Sequence, residues 1–297
     1  MADERRRQGR LSTVTYESYE LVRVAARGRV VVVEVDNPPM NMITAELLGE
    51  LDRLTTELAA DPEPVVIVIR SATPGFFICH AKYDDFDKLK MPQVPVTRDE
   101  VPLNAVHRIT ERLRSMDKVT IAQVEGRATG GGATIVMACD LRYGALGSAV
   151  FNSFGVPMGT GLGGGATQVL PRLVGRSRAT ELILGALDLD AATADRWGYL
   201  TRALPDDEIA GYVDAYAERI ARCVPDVIRR TRGLIAAFDT LPLAEGLRDE
   251  NFVLQQLAVR GEAVEAIRTF LEIGGETIEG ESRLETLLGE LLLQMKW

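Results

Sequence analysis

Three consecutive glycines, Gly130, Gly131 and Gly132, stand at the head of an apolar run that ends at Cys139 and Asp140. Without Cβ atoms the chain can turn sharply there and bring its backbone against a ligand. If the apolar run is helical, its first N–H groups have no acceptors within the helix and lie at the positive end of the helix dipole. Such a turn favours negative charge, whether an oxyanion forming on a carbonyl or a phosphate. A Walker-type phosphate loop requires Gly-Lys-Ser/Thr, whereas Gly132 is followed by Ala133 and Thr134, so the oxyanion reading is the stronger. The alternative without a ligand is a tight strand-to-helix turn whose glycines serve close packing.

The segments around this turn read as alternating strands and helices. The β-branched runs 30–35 and 65–69 are predicted strands, with turns marked by Asp36-Asn37-Pro38-Pro39 and Asp61-Pro62-Glu63-Pro64. Between them Thr44 is placed to cap a helix carrying Leu47, Leu48, Leu51, Leu54 and Leu58 on one face. This β, α, β order predicts an α/β fold with a parallel sheet and covering helices. Residues 103–116 read as a helix with Val106, Ile109, Leu113 and Met116 inward and His107 at the boundary of the core face. Residues 119–124 read as a strand leading straight into the glycine turn. A strand at 141–145, a glycine-rich passage at 155–165 and helices at 166–174 and 177–184 follow, after which no further strand is expected. The proline-bearing segment 91–102 reads as a mobile loop. From 206 onward leucines and alanines recur at helical spacing, and Leu284, Leu287, Leu288, Leu291 and Leu292 form a broad apolar face suited to the chain's own core or to a neighbouring subunit, the subunit being preferred. The chain therefore divides into an arm (1–17), a core domain (18–205) and a helical oligomerisation region (206–297).

Composition restricts the partners. With 34 Lys and Arg against 43 Asp and Glu, the net charge of −9 repels nucleic-acid phosphates and anionic membrane surfaces. Residues 1–10 lack the apolar stretch of a secretory signal and read as a disordered arm. Cys79, Cys139 and Cys223 make neither a disulfide framework nor a CxxC pair, which together point to the cytoplasm. Two histidines without ligand-spaced partners predict no metal.

Several short motifs, in order, resemble the crotonase superfamily, the enoyl-CoA hydratase/isomerase family, over about residues 18 to 274. Asn37-Pro38-Pro39-Met40-Asn41-Met42 is similar to its N-P-x-x-N-x-[ML] turn, and Phe76-Phe77-Ile78-Cys79-His80-Ala81-Lys82 stands where members carry F-[SA]-A-G-[AG]-D. The glycine triplet with Cys139-Asp140-Leu141-Arg142 matches G-G-G-x-x-[LI]-x-x-x-C-D-[IL]-R. The stretch 159–175, with Leu170-Pro171-Arg172, matches the glycine-rich loop and the helix after it. The resemblance implies stacked ββα turns with a helical trimerisation region, a trimer or hexamer, and a CoA or carrier-protein thioester as substrate with no other cofactor. It further implies that the backbone N–H groups of Ala81 and Gly131 form an oxyanion hole for a thioester enolate.

The two glutamates of the family's hydratases align with Thr134 and Gly155, and the acid of its dienoyl isomerases with Gly163, so no carboxylate stands at these places. His80, where members have glycine, becomes the first candidate for proton transfer, beside Ala81 and Gly131. Substrate contacts are assigned to Asn41, Lys82, Tyr83, Gly130, Thr134, Asn152, Ser153 and Phe270, with Ile273 where some members carry a phosphate-binding lysine. Asp84 or Asp85 reads as a helix cap, and Cys79 as a buried filler in place of a nucleophile. The expected chemistry is isomerisation, decarboxylation, or C–C cleavage of a β-dicarbonyl compound, and a binding-only scaffold is the alternative.

Overall fold

The computed structural model describes residues 16, 18–85 and 97–297, so the arm expected at 1–10 lies outside the described residues. Half of the loop expected at 91–102 does too, and its described part contains a 3-10 turn, Arg98–Glu100. The chain opens with β1 (Val22–Arg27), β2 (Val30–Val35), α1 (Ala45–Ala60), β3 (Val66–Ser71), β4 (Gly75–Phe76) and α2 (Ala105–Ser115). It continues through β5 (Val119–Val124), β6 (Gly126–Thr129), α3 (Gly131–Ala138), β7 (Leu141–Ala145), β8 (Val150–Asn152), α4 (Ala166–Val174) and α5 (Arg176–Gly185). There follow β9 (Leu189–Asp190), α6 (Ala191–Trp197), β10 (Arg202–Leu204) and the helices α7 (Ile209–Ala221), α8 (Pro225–Ala237), α9 (Leu243–Ala258), α10 (Gly261–Glu272), α11 (Ile278–Ser282) and α12 (Leu284–Gln294).

Each of β3-β4-α2, β5-β6-α3 and β7-β8-α4 places its first strand in one sheet, its second strand in another, and then a helix, so ββα turns are stacked as expected. One sheet has the order β1-β2-β3-β5-β7-β10, parallel except where β1 meets β2, and the other has the order β4-β6-β8-β9. Three expectations need correction. The strand at 119–124 does not run straight into the glycines, because β6 intervenes and pairs with β4 and β8. Strands do not end before residue 166, since β9 and β10 are added later, β10 parallel to β7. They span two and three residues and are too short to show an alternation of their own. The apolar face of the C-terminal piece is also only partly free. Leu287 and Leu291 are buried within this chain, whereas Leu288 is exposed, as are Leu243, Phe252 and Leu254 on α9 and Val264 and Ile267 on α10.

The valine and isoleucine runs are continuous because the larger sheet is covered on both faces. Val31, Val33, Ile67 and Ile69 face a core with α1, α2 and α3, while Val30, Val32, Val66 and Val68 face Ile209, Val213 and Ala217 of α7. The start of the helical third, α7 with Ile228 of α8, thus shares a core with the sheet. Thr44 caps α1 as expected, its hydroxyl accepting from Leu47 N at 3.2 Å. Asp52 on α1 pairs with Arg108 and Arg112 and fixes α2 beside it. At the far end of α3, Asp140 accepts from Thr120 N at 2.8 Å and from Arg232 of α8 at 3.0 Å, which ties the helix between the sheet and the C-terminal helices.

Candidate functional site

The segment 77–82 runs between β6 and the turn after β2, and the two neighbours decide which of its backbone groups stay free. On one side Phe77 N donates to Arg127 O at 2.9 Å, Thr129 N to Ile78 O at 3.1 Å, and His80 N to Thr129 Oγ1 at 3.1 Å. On the other, Cys79 N donates to Asn41 O at 3.0 Å, Ile43 N to His80 O at 3.0 Å and Lys82 N to Ile43 O at 2.9 Å. In this parallel bridge the His80 carbonyl and the Lys82 N–H face Ile43, so the groups of Ala81 point the other way. Among the described residues the Ala81 N–H has no acceptor.

Gly130 brings the second donor to the same place. Its φ of +54° belongs to the region glycine favours, and a Cβ on it would stand 2.9 Å from the Cβ of His80. Its N–H donates to Asn152 O at 2.9 Å, which anchors the turn to β8. Gly131 then begins α3 with an N–H that has no acceptor among the described residues. Contact of residues 80 and 130 thus sets Ala81 and Gly131, each one residue onward, as adjacent backbone donors. A charged oxygen bound there would meet both N–H groups and the positive end of α3.

His80 lies half-buried in this wall, its ring stacked on Tyr83 (centroids 5.5 Å apart) and edge-on to Phe154 (5.0 Å). Its Nδ1 is 2.9 Å from Ala81 O. A carbonyl oxygen only accepts, so Nδ1 carries the hydrogen and the lone pair of the neutral ring is on Nε2. Cys79 is buried, and burial pushes its thiol up despite the Thr129 hydroxyl and the Arg127 charge, which fits a filler. Asp85 is buried in the 3-10 turn Tyr83–Asp85, and whatever follows it lies outside the described residues.

Other candidates are occupied elsewhere. Asn41 is wholly buried: its Oδ1 accepts from Asn37 N at 2.7 Å and Thr73 Oγ1 at 2.8 Å, and its Nδ2 donates to Ser71 Oγ at 2.7 Å and Phe77 O at 2.8 Å. Its side chain braces the segment carrying Ala81 and is closed to substrate. Asn152 turns its Nδ2 to Ala186 O at 2.9 Å and to Asp188, a carboxylate held below its usual range chiefly by hydrogen bonds from Arg127. Only the Asn152 backbone reaches the glycine turn. Ser153 is buried. Thr134 donates its hydroxyl back to Gly130 O at 3.0 Å, and a Cβ on Gly155 would meet Gly161 O at 2.8 Å, because the loop folds over it. Phe270 packs its ring over Gly275 in the C-terminal helices, away from the glycine turn of its own chain.

One residue was read differently from sequence. His107, expected merely at a helix boundary, is held by Asn104, and its Cε1 would lie 3.7 Å from a Cβ on Gly163. The signal available was the spacing, a capping asparagine three residues before a histidine.

Known proteins resemble the chain in sequence and in fold. The sequence matches the enoyl-CoA hydratase/isomerase family over residues 25–279. A short-chain-enoyl-CoA hydratase of Clostridium acetobutylicum is 30% identical over 210 residues, 70% of this chain and 78% of that protein. The crystal structure of a candidate enoyl-CoA hydratase from Streptomyces avermitilis is 35% identical, with a TM-score of 0.67 over 93% of this chain and 100% of that one. An enoyl-CoA hydratase structure from Bacillus anthracis is 25% identical with a TM-score of 0.76, covering 85% and 96%. Stacked ββα turns and a match over most of the chain agree: this protein belongs to the enoyl-CoA hydratase/isomerase family.

Proposed function

We propose that the protein is an enzyme acting on an acyl-CoA or acyl-carrier thioester through an enolate. The observation that carries this reading is the pair of adjacent, unspent N–H groups of Ala81 and Gly131 at the start of α3. The thioester oxygen would accept from both, and each such donor contributes about 3 kcal/mol to the barrier of reactions that build charge on that oxygen. Coenzyme A enters as part of the substrate, and the enolate needs no further cofactor. The names of the matched hydratases support the substrate class.

The reaction proposed is isomerisation, decarboxylation or C–C cleavage in preference to hydration by two glutamates. Thr134 and Gly155 offer no carboxylate, and the Thr134 hydroxyl is spent on Gly130 O. His80, with Nε2 as its basic nitrogen, is the proton-transfer group next to the oxyanion site. Incubating the purified protein with enoyl-, malonyl- and β-ketoacyl-CoA and weighing the products tests this. Carbon dioxide loss, chain cleavage or double-bond migration is expected, slowed about a hundredfold or more in His80→Ala. Gain of water on enoyl thioesters would sink the argument from the missing carboxylates, and inertness towards all of them would favour a binding-only role.

The working form in this proposal is a homotrimer or hexamer, in the cytoplasm. Its support is the apolar surface of the C-terminal helices, where Ile235, Phe238, Leu243 and Leu247 are exposed around a groove of about 1180 Å³. Sedimentation should give a mass near three or six times the 32.5 kDa chain, and a monomer at micromolar concentration would refute it. Among the described residues no helix is long and apolar enough to cross a membrane.

A further inference from the structure

We propose that His107 is a second proton-transfer residue of this site, acting on a carbon of the bound acyl chain; the inference rests on the enolate reading above. Asn104 caps α2, and its Oδ1 accepts from the backbone N–H of His107 at 3.1 Å while lying 2.8 Å from His107 Nδ1. A backbone amide only donates, so the atom facing it is the amide oxygen. That oxygen only accepts, so Nδ1 bears a hydrogen and the lone pair of the neutral ring is on Nε2. Among the described residues Nε2 has no hydrogen-bond partner.

The ring is aimed at the glycine loop. A Cβ on Gly163 would stand 3.7 Å from His107 Cε1 and 3.9 Å from Asn104 Nδ2, and one on Gly164 would stand 2.7 Å from the Thr134 Cγ2. His107, the Gly163 to Gly164 strip and Thr134 therefore form one wall, one turn along α3 from the oxyanion donors, while His80 belongs to the wall of Tyr83 and Phe154. Glycine at 163 keeps side-chain bulk away from the ring. The half-buried ring also stands on a fixed base, since Ile109 and Leu113 are buried and Asp52 pairs with Arg108 and Arg112. This wall contains Thr134 and Gly163, two of the three positions that lack a carboxylate, and the oriented imidazole of His107 faces it.

In the proposed step Nε2 takes a proton from Cα of the thioester. The C–H electron pair moves into the enolate, whose oxygen is held by Ala81 and Gly131. The imidazolium then returns a proton to Cα or, in a β,γ-unsaturated chain, to Cγ, so that no oxidant or reductant is needed.

The test is deuterium uptake from D2O into but-3-enoyl-CoA, followed by mass spectrometry with the full-length protein. The wild type should take up deuterium, and His107→Gln, with an unchanged melting temperature, should do so about a hundredfold more slowly. His107→Ala should be slowed likewise and be partly restored by added imidazole, a rescue that a merely structural role would not show. Wild-type uptake in folded His107→Gln, or no rescue of His107→Ala, overturns the role of His107 alone. No uptake by the wild type overturns it together with the enolate reading.

Discussion

Gly132→Ala is expected to cost about 3 kcal/mol of stability and to abolish thioester turnover. The added Cβ would lie 1.9 Å from the Ile78 carbonyl oxygen and 2.6 Å from its carbon, two backbone atoms that cannot rotate away. Relief requires α3 to separate from the segment 77–82, and that separation breaks the apposition of the Ala81 and Gly131 donors. Gly131→Ala is the control: its Cβ would meet the Cδ1 of Ile43 at 2.6 Å, the far end of a flexible side chain, so stability should fall much less. Urea unfolding of both variants measures the difference, and a Gly132→Ala protein as stable as the wild type would show that the close approach is not what holds the turn.

The second large effect falls on Asn41. Asn41→Ala should cost about 4 kcal/mol, because it strands the half-buried Asn37 N–H, the buried Thr73 hydroxyl and the buried Phe77 carbonyl, each a loss of about 1 to 3 kcal/mol. Backbone conformation adds to this, since Asn41 has φ +51°, a region that asparagine tolerates better than alanine does. Asn41→Gly should therefore be more stable than Asn41→Ala by about 1 kcal/mol while still lacking the hydrogen bonds. Were Asn41 a substrate ligand, KM would rise with the melting temperature unchanged. That pattern would contradict its place as a brace.

Both variants concern residues that the sequence marks, but only one of the two roles is readable there. A glycine triplet before an apolar run implies a sharp turn and free N–H groups, because the missing Cβ and the unpaired first turn are local properties of the chain. Asn41 stands in a recognisable turn, yet its partners Ser71, Thr73 and Phe77 come from residues about thirty or more positions away. Nothing in the spacing announces that its amide is spent among them. Thr134 is the same case on a smaller scale: a hydroxyl in a site motif looks available until the helix returns it to Gly130 O.

By itself the sequence determined the β-branched strands of the larger sheet, the Thr44 cap, the helices from 166 to 185 within a residue or two, and the family through its ordered motifs. These rest on short-range pattern, where periodicity and capping act over a few residues. Tertiary structure alone decided that β6 leaves the larger sheet to pair with β4 and β8, that β10 joins β7, and that Leu287 and Leu291 turn inward. It alone also brought His107 to Gly163 and set Ala81 beside Gly131. Each of these depends on which distant backbone supplies a hydrogen-bond partner or a contact surface, and that choice is made by packing the whole core, not by any local stretch of chain.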